Sequence, residues 1–174
     1  MRYNFLCMNI ANEIKQIWNW LFSKRSEFLQ LGYKDAFMAQ IVMEILQNNI
    51  KHDFEYCKLY KLDPIHPVDN RDNAMQATKD RAEKLKPHKS LLLKKRKLSK
   101  EDLAKYLPSA TYMRAVPMQD NRYVTFEGNG RIAALKQVFS TEDKIEIELE
   151  IFQPKHKRRI QKKINKLRAM HGLE

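Results

Sequence analysis

The stretch Tyr123-Val124-Thr125-Phe126-Glu127-Gly128-Asn129-Gly130-Arg131-Ile132-Ala133-Ala134-Leu135-Lys136 decides how this chain is read. Its first four residues are aromatic or β-branched and its last six are mostly strong helix formers. Between them sit two of the chain's four glycines. That order predicts a strand, a sharp turn and a helix. Glycine lets the backbone bend sharply and approach a ligand closely. Beyond Gly128, the amides of Asn129, Gly130, Arg131 and Ile132 are expected to open the helix unpaired. Free N–H groups and the helix dipole favour an anion there, and a guanidinium such as that of Arg131 grips phosphate through two bonds. Ala133 and Ala134 let the helix lie close on a sheet. Glu127, just before the hinge, is the candidate catalytic acid/base or metal-orienting group. An ordinary tight turn, with Arg131 paired to Glu127 or Asp120, is the competing reading.

Working outward, Tyr112 to Pro117 and Tyr123 to Phe126 read as strands joined by the polar turn Gln119-Asp120-Asn121. Lys144 to Phe152 alternates, with Ile145, Ile147, Leu149 and Ile151 on one face of a half-buried strand. Residues 155–170 place Ile160, Ile164 and Leu167 on one side of a very basic helix. Upstream, Tyr56 to Leu62 reads as a strand ended by Asp63-Pro64-Ile65-His66-Pro67. A helix capped by Asp69 or Asn70, with Asp72 in its first turn, runs to about residue 86 and is closed by Pro87. Ser99-Lys100-Glu101-Asp102 resembles a capping box for a short helix ending at Pro108. At the N-terminus, Ile10, Ile14, Ile17, Trp18, Leu21 and Phe22 form one apolar stripe. A second helix, about 34–50, carries Met38, Ile41, Val42, Ile45 and Leu46 on one face. Helices followed by mixed strands and helices predict an α+β fold. The expected layout is an N-terminal helical hairpin over 1–54, a mixed α+β domain over 55–153 and a basic C-terminal helix over 154–174.

The net charge of +12 is concentrated. Residues 84–100 carry +8 and residues 151–174 carry +7, leaving −3 for the remainder. Such segments attract polyanions, so a non-catalytic nucleic-acid-binding protein is the alternative function. It would use Lys94, Lys95, Arg96, Lys97, Lys157, Arg158, Arg159, Lys162 and Lys163 against a DNA or RNA backbone. The sequence has no run of about 18 uncharged apolar residues, so no membrane partner is expected. Nothing at residues 1–22 resembles a signal peptide. Cys7 and Cys57 lack metal-ligand spacing and read as free thiols in a reducing, cytoplasmic setting. No zinc pattern and no Walker-type Gly-Lys-Ser/Thr is present, and the sequence leaves any metal unknown.

Residues Gly128, Arg131, Ile132, Ala133 and Ala134 stand as Gly-x-x-Arg-φ-x-Ala helix heads stand in ParB N-terminal domains and sulfiredoxins. The chain resembles that superfamily over roughly 55–153, including the strand ending at Asp63-Pro64-Ile65 and the Arg114–Pro117 strand. The resemblance implies a ParB/sulfiredoxin-like mixed sheet binding ATP or CTP, with or without Mg2+, its phosphates seated on Gly128, Asn129, Gly130, Arg131 and Ile132. Asp63, His66, Arg71 and Arg114 are the accessory candidates. Asn129 stands where sulfiredoxins carry their catalytic cysteine, which removes thiol chemistry. Glu127 is similar to the acid of the superfamily's free-serine kinases, so a phosphotransferase or nucleotide hydrolase is the enzymatic expectation. Residues 87–108 are an insertion relative to the family. Glu127-Gly128-Asn129-Gly130-Arg131 also resembles the core of the Fic motif, although Tyr123 and Thr125 replace that motif's histidine and phenylalanine. A degenerate Fic-like protein is therefore a further alternative. Homo-oligomer formation is expected through the N-terminal helices.

Overall fold

A computed structural model describes residues 32–68, 72–107 and 112–173. In chain order the elements are α1 (Tyr33–Gln47), β1 (Asn49–Lys58), β2 (Leu62–Pro64), α2 (Asp72–Leu85), α3 (Lys89–Lys95), β3 (Lys97–Leu98) and α4 (Lys100–Ala104). They continue with β4 (Arg114–Pro117), β5 (Tyr123–Glu127), α5 (Asn129–Val138), β6 (Glu146–Pro154) and α6 (Lys157–Met170). The fold is a mixed α+β sheet, as expected. The first N-terminal helix, the caps at Asp69 and Asn70, and Arg71 lie outside the described residues.

The β4–β5 hairpin forms where the polar turn was expected. Asp120 and Asn121 take φ of 58° and 55°, the two positive values that a type I′ hairpin turn demands and that Asp and Asn tolerate. The Arg122 amide donates to the Gln119 carbonyl at 3.2 Å. The strand order is β1-β6-β4-β5-β2, with β3 beside the start of β6. β1 pairs with β6 and β4 with β5 antiparallel, whereas β4 with β6 and β2 with β5 run parallel.

One expected strand, Tyr56 to Leu62, is two strands. The helix expected to reach residue 50 stops at Gln47, and Asn48 takes the helix end, its Nδ2 donating to the Glu44 carbonyl at 3.0 Å. β1 starts at Asn49 and ends at Lys58, so the boundary expected between residues 54 and 55 falls inside a strand. A 3-10 turn at Leu59–Lys61 then leads to β2. β1 and β2 lie at opposite ends of the strand order, about 19 Å apart in a flat sheet. Lys58 to Leu62 can span only about 14 Å. The sheet must therefore curl, and it does: the Tyr123 hydroxyl of β5 donates to the Glu55 carboxylate of β1 at 3.4 Å.

Cys57 is buried inside this curl. Burial pushes its thiol up to about 11. Burial, aided by Cys57 and Glu55, pushes the Tyr123 hydroxyl up to about 12. Both groups fold as neutral acids, so the unfolded chain releases their protons first as pH rises. The stability these two groups contribute is therefore fully present below about pH 8.5, the ordinary thiol value, and is lost between there and pH 12. Urea midpoints measured from pH 7 to 11 should fall progressively, and Tyr123→Phe should flatten the upper part of that fall.

Helices cover both faces. On one side Leu85, Leu92, Leu98, Leu103, Leu135 and Phe139 meet Ile147, Leu149 and Ile151 of the sheet. On the other, Ile41 and Ile45 of α1 and Ile160, Ile164 and Leu167 of α6 meet Val116, Val124 and Phe152. β6 was expected to bury one face; Phe152 is 1% exposed and Glu150 8%, so its second half is covered on both. The C-terminal helix is thus part of the core, and α1 packs its apolar face on α6. The segment expected as an insertion also adds to the core, through Leu92, Leu98, Leu103 and Leu107. Its capping box is formed: the Asp102 amide donates to Ser99 Oγ at 3.2 Å and the Ser99 amide to Asp102 Oδ2 at 3.1 Å. Ser99→Ala should cost about 1 kcal/mol, a fall of roughly 2–4 °C in Tm by calorimetry. Among the described residues, no helix is long and apolar enough to cross a membrane.

Candidate phosphate-binding turn

Parallel β2 and β5 end side by side. In sheets of this kind ligands settle beyond the carboxyl ends of the strands. At the end of β5, Gly128 takes φ 93°. A Cβ there would lie 2.5 Å from Met113 Cγ, so only glycine fits. The hinge is as expected, but the fan of four amides is not. Arg131 and Ile132 donate to the Gly128 carbonyl at 2.9 and 3.0 Å. Only the amides of Asn129 and Gly130 remain uncommitted to that carbonyl, because the first turn closes on its own N-cap. Ile132 buries its side chain in the core.

The Asn129 side chain and the Arg131 guanidinium, the second of which was expected to grip phosphate, hold the turn together. Asn129 is buried; its Oδ1 accepts from Thr125 Oγ1 at 2.7 Å and its Nδ2 donates to the His66 carbonyl at 3.4 Å. That pair of bonds ties the turn to the loop after β2. The Arg131 guanidinium folds under Gly128, and its Nη2 donates to the Tyr112 carbonyl at 3.4 Å. Burial lowers its pKa from the ordinary arginine value, opposed by Glu127 and assisted by Arg81. The hollow beside it is about 10 Å3, room for a water and too small for a nucleotide.

The residue that sequence reading missed is Arg81. Its Nη1 lies 3.2 Å from where a Cβ of Gly130 would be, with Thr78 Oγ1 at 3.5 Å from the same point. α2 passes the mouth of α5 and presents Arg81 beside Gly130. The available signal was spacing. Thr78 and Arg81 stand three apart, one helical turn, and Arg81 directly precedes Ala82, whose small side chain is buried in the helix–sheet core. Arg81 and Thr78 thus meet Gly130 at the N-terminus of α5, the positive end of the helix dipole.

Among the described residues, the accessory candidates Asp63, His66 and Arg114 engage other partners. Asp63 binds Arg122 through two bonds of 2.7 and 2.6 Å on the α6 side of the sheet. Arg114 lies against Glu150 at 2.8 Å and Glu127 at 3.7 Å. The His66 ring lies 6.3 Å from that of His171, so His66 contributes to the turn only its backbone carbonyl. Glu127 does stand at the turn, with its side chain 36% exposed. Among the described residues, no group of three or more His, Cys, Asp or Glu could hold a metal ion. The Fic resemblance implies a helical bundle around the pentapeptide, whereas Glu127 closes a β-strand.

The two basic segments do not form one surface. Lys94, Lys95, Arg96 and Lys97 sit around β3, at the start of β6. There Lys95 pairs with Asp102 at 2.5 Å and Lys97 with Glu146 at 3.6 Å. Lys157, Arg158, Arg159, Lys162 and Lys163 follow the other end of β6, on α6 and over the opposite face of the sheet. Arg159 bonds Glu44 at 3.2 Å, and Lys163 bonds the same carboxylate. No protein-family model, curated protein or solved structure matches this chain at a significant level.

Proposed function

We propose that this chain binds a nucleotide of the ATP or CTP kind, its phosphates seated on the Asn129 and Gly130 amides. The observation that carries the reading is Arg81 held beside Gly130 at the mouth of α5, behind a hinge only glycine can make. The ParB/sulfiredoxin resemblance of the sequence supports the same placement. Arg81 is the phosphate-gripping side chain and Arg131 braces the turn. That division moves the gripping role expected of Arg131 to Arg81. Glu127 is the acid/base candidate for a phosphotransferase or hydrolase step, so Glu127→Gln should remove any nucleotide turnover and leave binding in place.

Thermal-shift and calorimetric titrations with ATP, CTP, GTP and ADP, with and without Mg2+, test the reading. A ligand at about 100 times its Kd should add roughly 2.7 kcal/mol, raising Tm by about 5–10 °C. Arg81→Ala should weaken binding at least tenfold, the loss of one charge-assisted bond of about 1.5–3 kcal/mol. Gly130→Ala crowds only the end of the Arg81 side chain, so it should fold normally and still lose affinity. No shift with any nucleotide at millimolar concentration would overturn the proposal.

A further inference from the structure

The β4–β5 hairpin, the β2 edge and α6 enclose a cleft of about 590 Å3, on the face of the sheet opposite the Gly128 turn. Its charged lining is Arg122, Arg158, Lys162 and Arg168 against Asp63 and Asp120. Four cations thus face two carboxylates, and the excess is built into the fold. Asp63 already holds Arg122 through both oxygens. Arg168 donates to the Pro64 carbonyl, which fixes its guanidinium at the β2 edge. Behind them the half-buried Lys136 donates to the Leu62 carbonyl at 2.6 Å. Burial lowers the Lys136 pKa, and Arg122 and Arg168 add to that effect against Asp63. Three cations therefore crowd one carboxylate, and the field at the cleft is positive.

The lining of α6 is a stripe. Arg158, Lys162 and Asn165 stand at i, i+4 and i+7, and Arg168 is one turn further on. Ten residues of helix span about 15 Å, the axial length of about four nucleotides at 3.4 Å each. Arg158 and Lys162 are exposed, unlike Lys163, which α1 engages through Glu44. Among the described lining residues there is no aromatic ring; the apolar wall is Met118, Val124, Ala169 and Leu173. Base stacking, the usual grip on a single-stranded base, has no platform there. A charged stripe without stacking surfaces suits a phosphate backbone read without regard to sequence.

We propose that this cleft is a docking groove for the phosphodiester backbone of a nucleic acid, contacted by Arg158, Lys162 and Arg168. It is separate from the nucleotide site at the Gly128 turn and does not depend on it. The excess of Arg122 and Arg168 over Asp63 sets the potential, and the exposed Arg158 and Lys162 make the outer contacts.

The test is fluorescence anisotropy with labelled 20-nucleotide DNA and RNA, single-stranded and duplex, over a salt series. The wild-type chain should bind at least one of them with affinity falling steeply with salt. Arg158→Glu/Lys162→Glu should weaken that binding at least tenfold and reduce the log–log salt slope by about 2, one for each lost phosphate contact. Lys94→Glu/Arg96→Glu, on the other face, makes the same change in net charge and should weaken binding less than threefold. Far-ultraviolet circular dichroism checks that each variant is folded, and Arg158→Gln/Lys162→Gln provides a milder pair. Equal losses from the two charge-reversed pairs would assign the affinity to net charge alone and overturn the proposal. So would failure of every oligonucleotide to bind at low salt, or displacement from the cleft by free inorganic phosphate at millimolar concentration. Because Arg81→Ala leaves the cleft intact, it should not change oligonucleotide affinity, which separates this result from that of the nucleotide titrations.

Discussion

Gly128→Ala should lower stability by about 2–5 kcal/mol, a fall in Tm on the order of 10 °C for a chain this size. Two independent penalties combine. At φ 93° any L side chain is strained against its own carbonyl. The added methyl would also sit 2.5 Å from Met113 Cγ and 3.1 Å from its Cβ, well inside contact distance. Met113 is buried and cannot swing into solvent. Relief requires the turn to move, and with it the Arg131 and Ile132 amides that close on the Gly128 carbonyl. Urea denaturation of the two proteins checks the magnitude. A loss under about 0.5 kcal/mol would mean the turn relaxes freely and the hinge is not rigid.

The second large effect is expected from Arg114→Met. Arg114 lies between β4 and β6, with Nε 2.8 Å from Glu150 and its guanidinium carbon 5.7 Å from the centre of the Phe152 ring. Glu150 is 8% exposed, and a second partner near its carboxylate is His52 at 3.8 Å. Removing the guanidinium leaves a buried carboxylate without its main counter-charge, at a cost of about 3–5 kcal/mol. The double variant Arg114→Met/Glu150→Met should recover most of that loss, since an apolar pair of similar volume needs no desolvated charge. With Glu150→Met as the third variant the measurements form a double-mutant cycle, and a coupling below about 0.5 kcal/mol would show that Arg114 and Glu150 do not depend on one another.

Much of the fold was legible in local pattern. The hairpin at Asp120-Asn121, the Ser99 capping box, the Gly128 hinge and the Ile160, Ile164 and Leu167 face all follow from chemistry confined to a few neighbouring residues. The division of 56–62 was not legible, because β1 and β2 are separated by partners at the two ends of the strand order rather than by any local change in composition. Nor was the end of α1. Ile50 to Cys57 satisfies a helix pattern as readily as a strand pattern until β6 offers a ladder along its whole length.

The site divides in the same way. That residues 123–136 make a strand, a glycine hinge and a helix was set by the sequence alone, because conformational preference and φ > 0 are properties of single residues. Which side chains surround that turn was decided by tertiary structure. Arg81 reaches Gly130 only because α2 crosses the mouth of α5, and Asn129 turns inward only because His66 and Thr125 meet it. Likewise, the sequence determined that α6 is basic, but only packing made its stripe from Arg158 to Arg168 one wall of a cleft and placed the other basic segment on the far side of the sheet. Charge is additive along a chain, whereas the field it produces depends on which charges the fold brings within a few ångströms of one another.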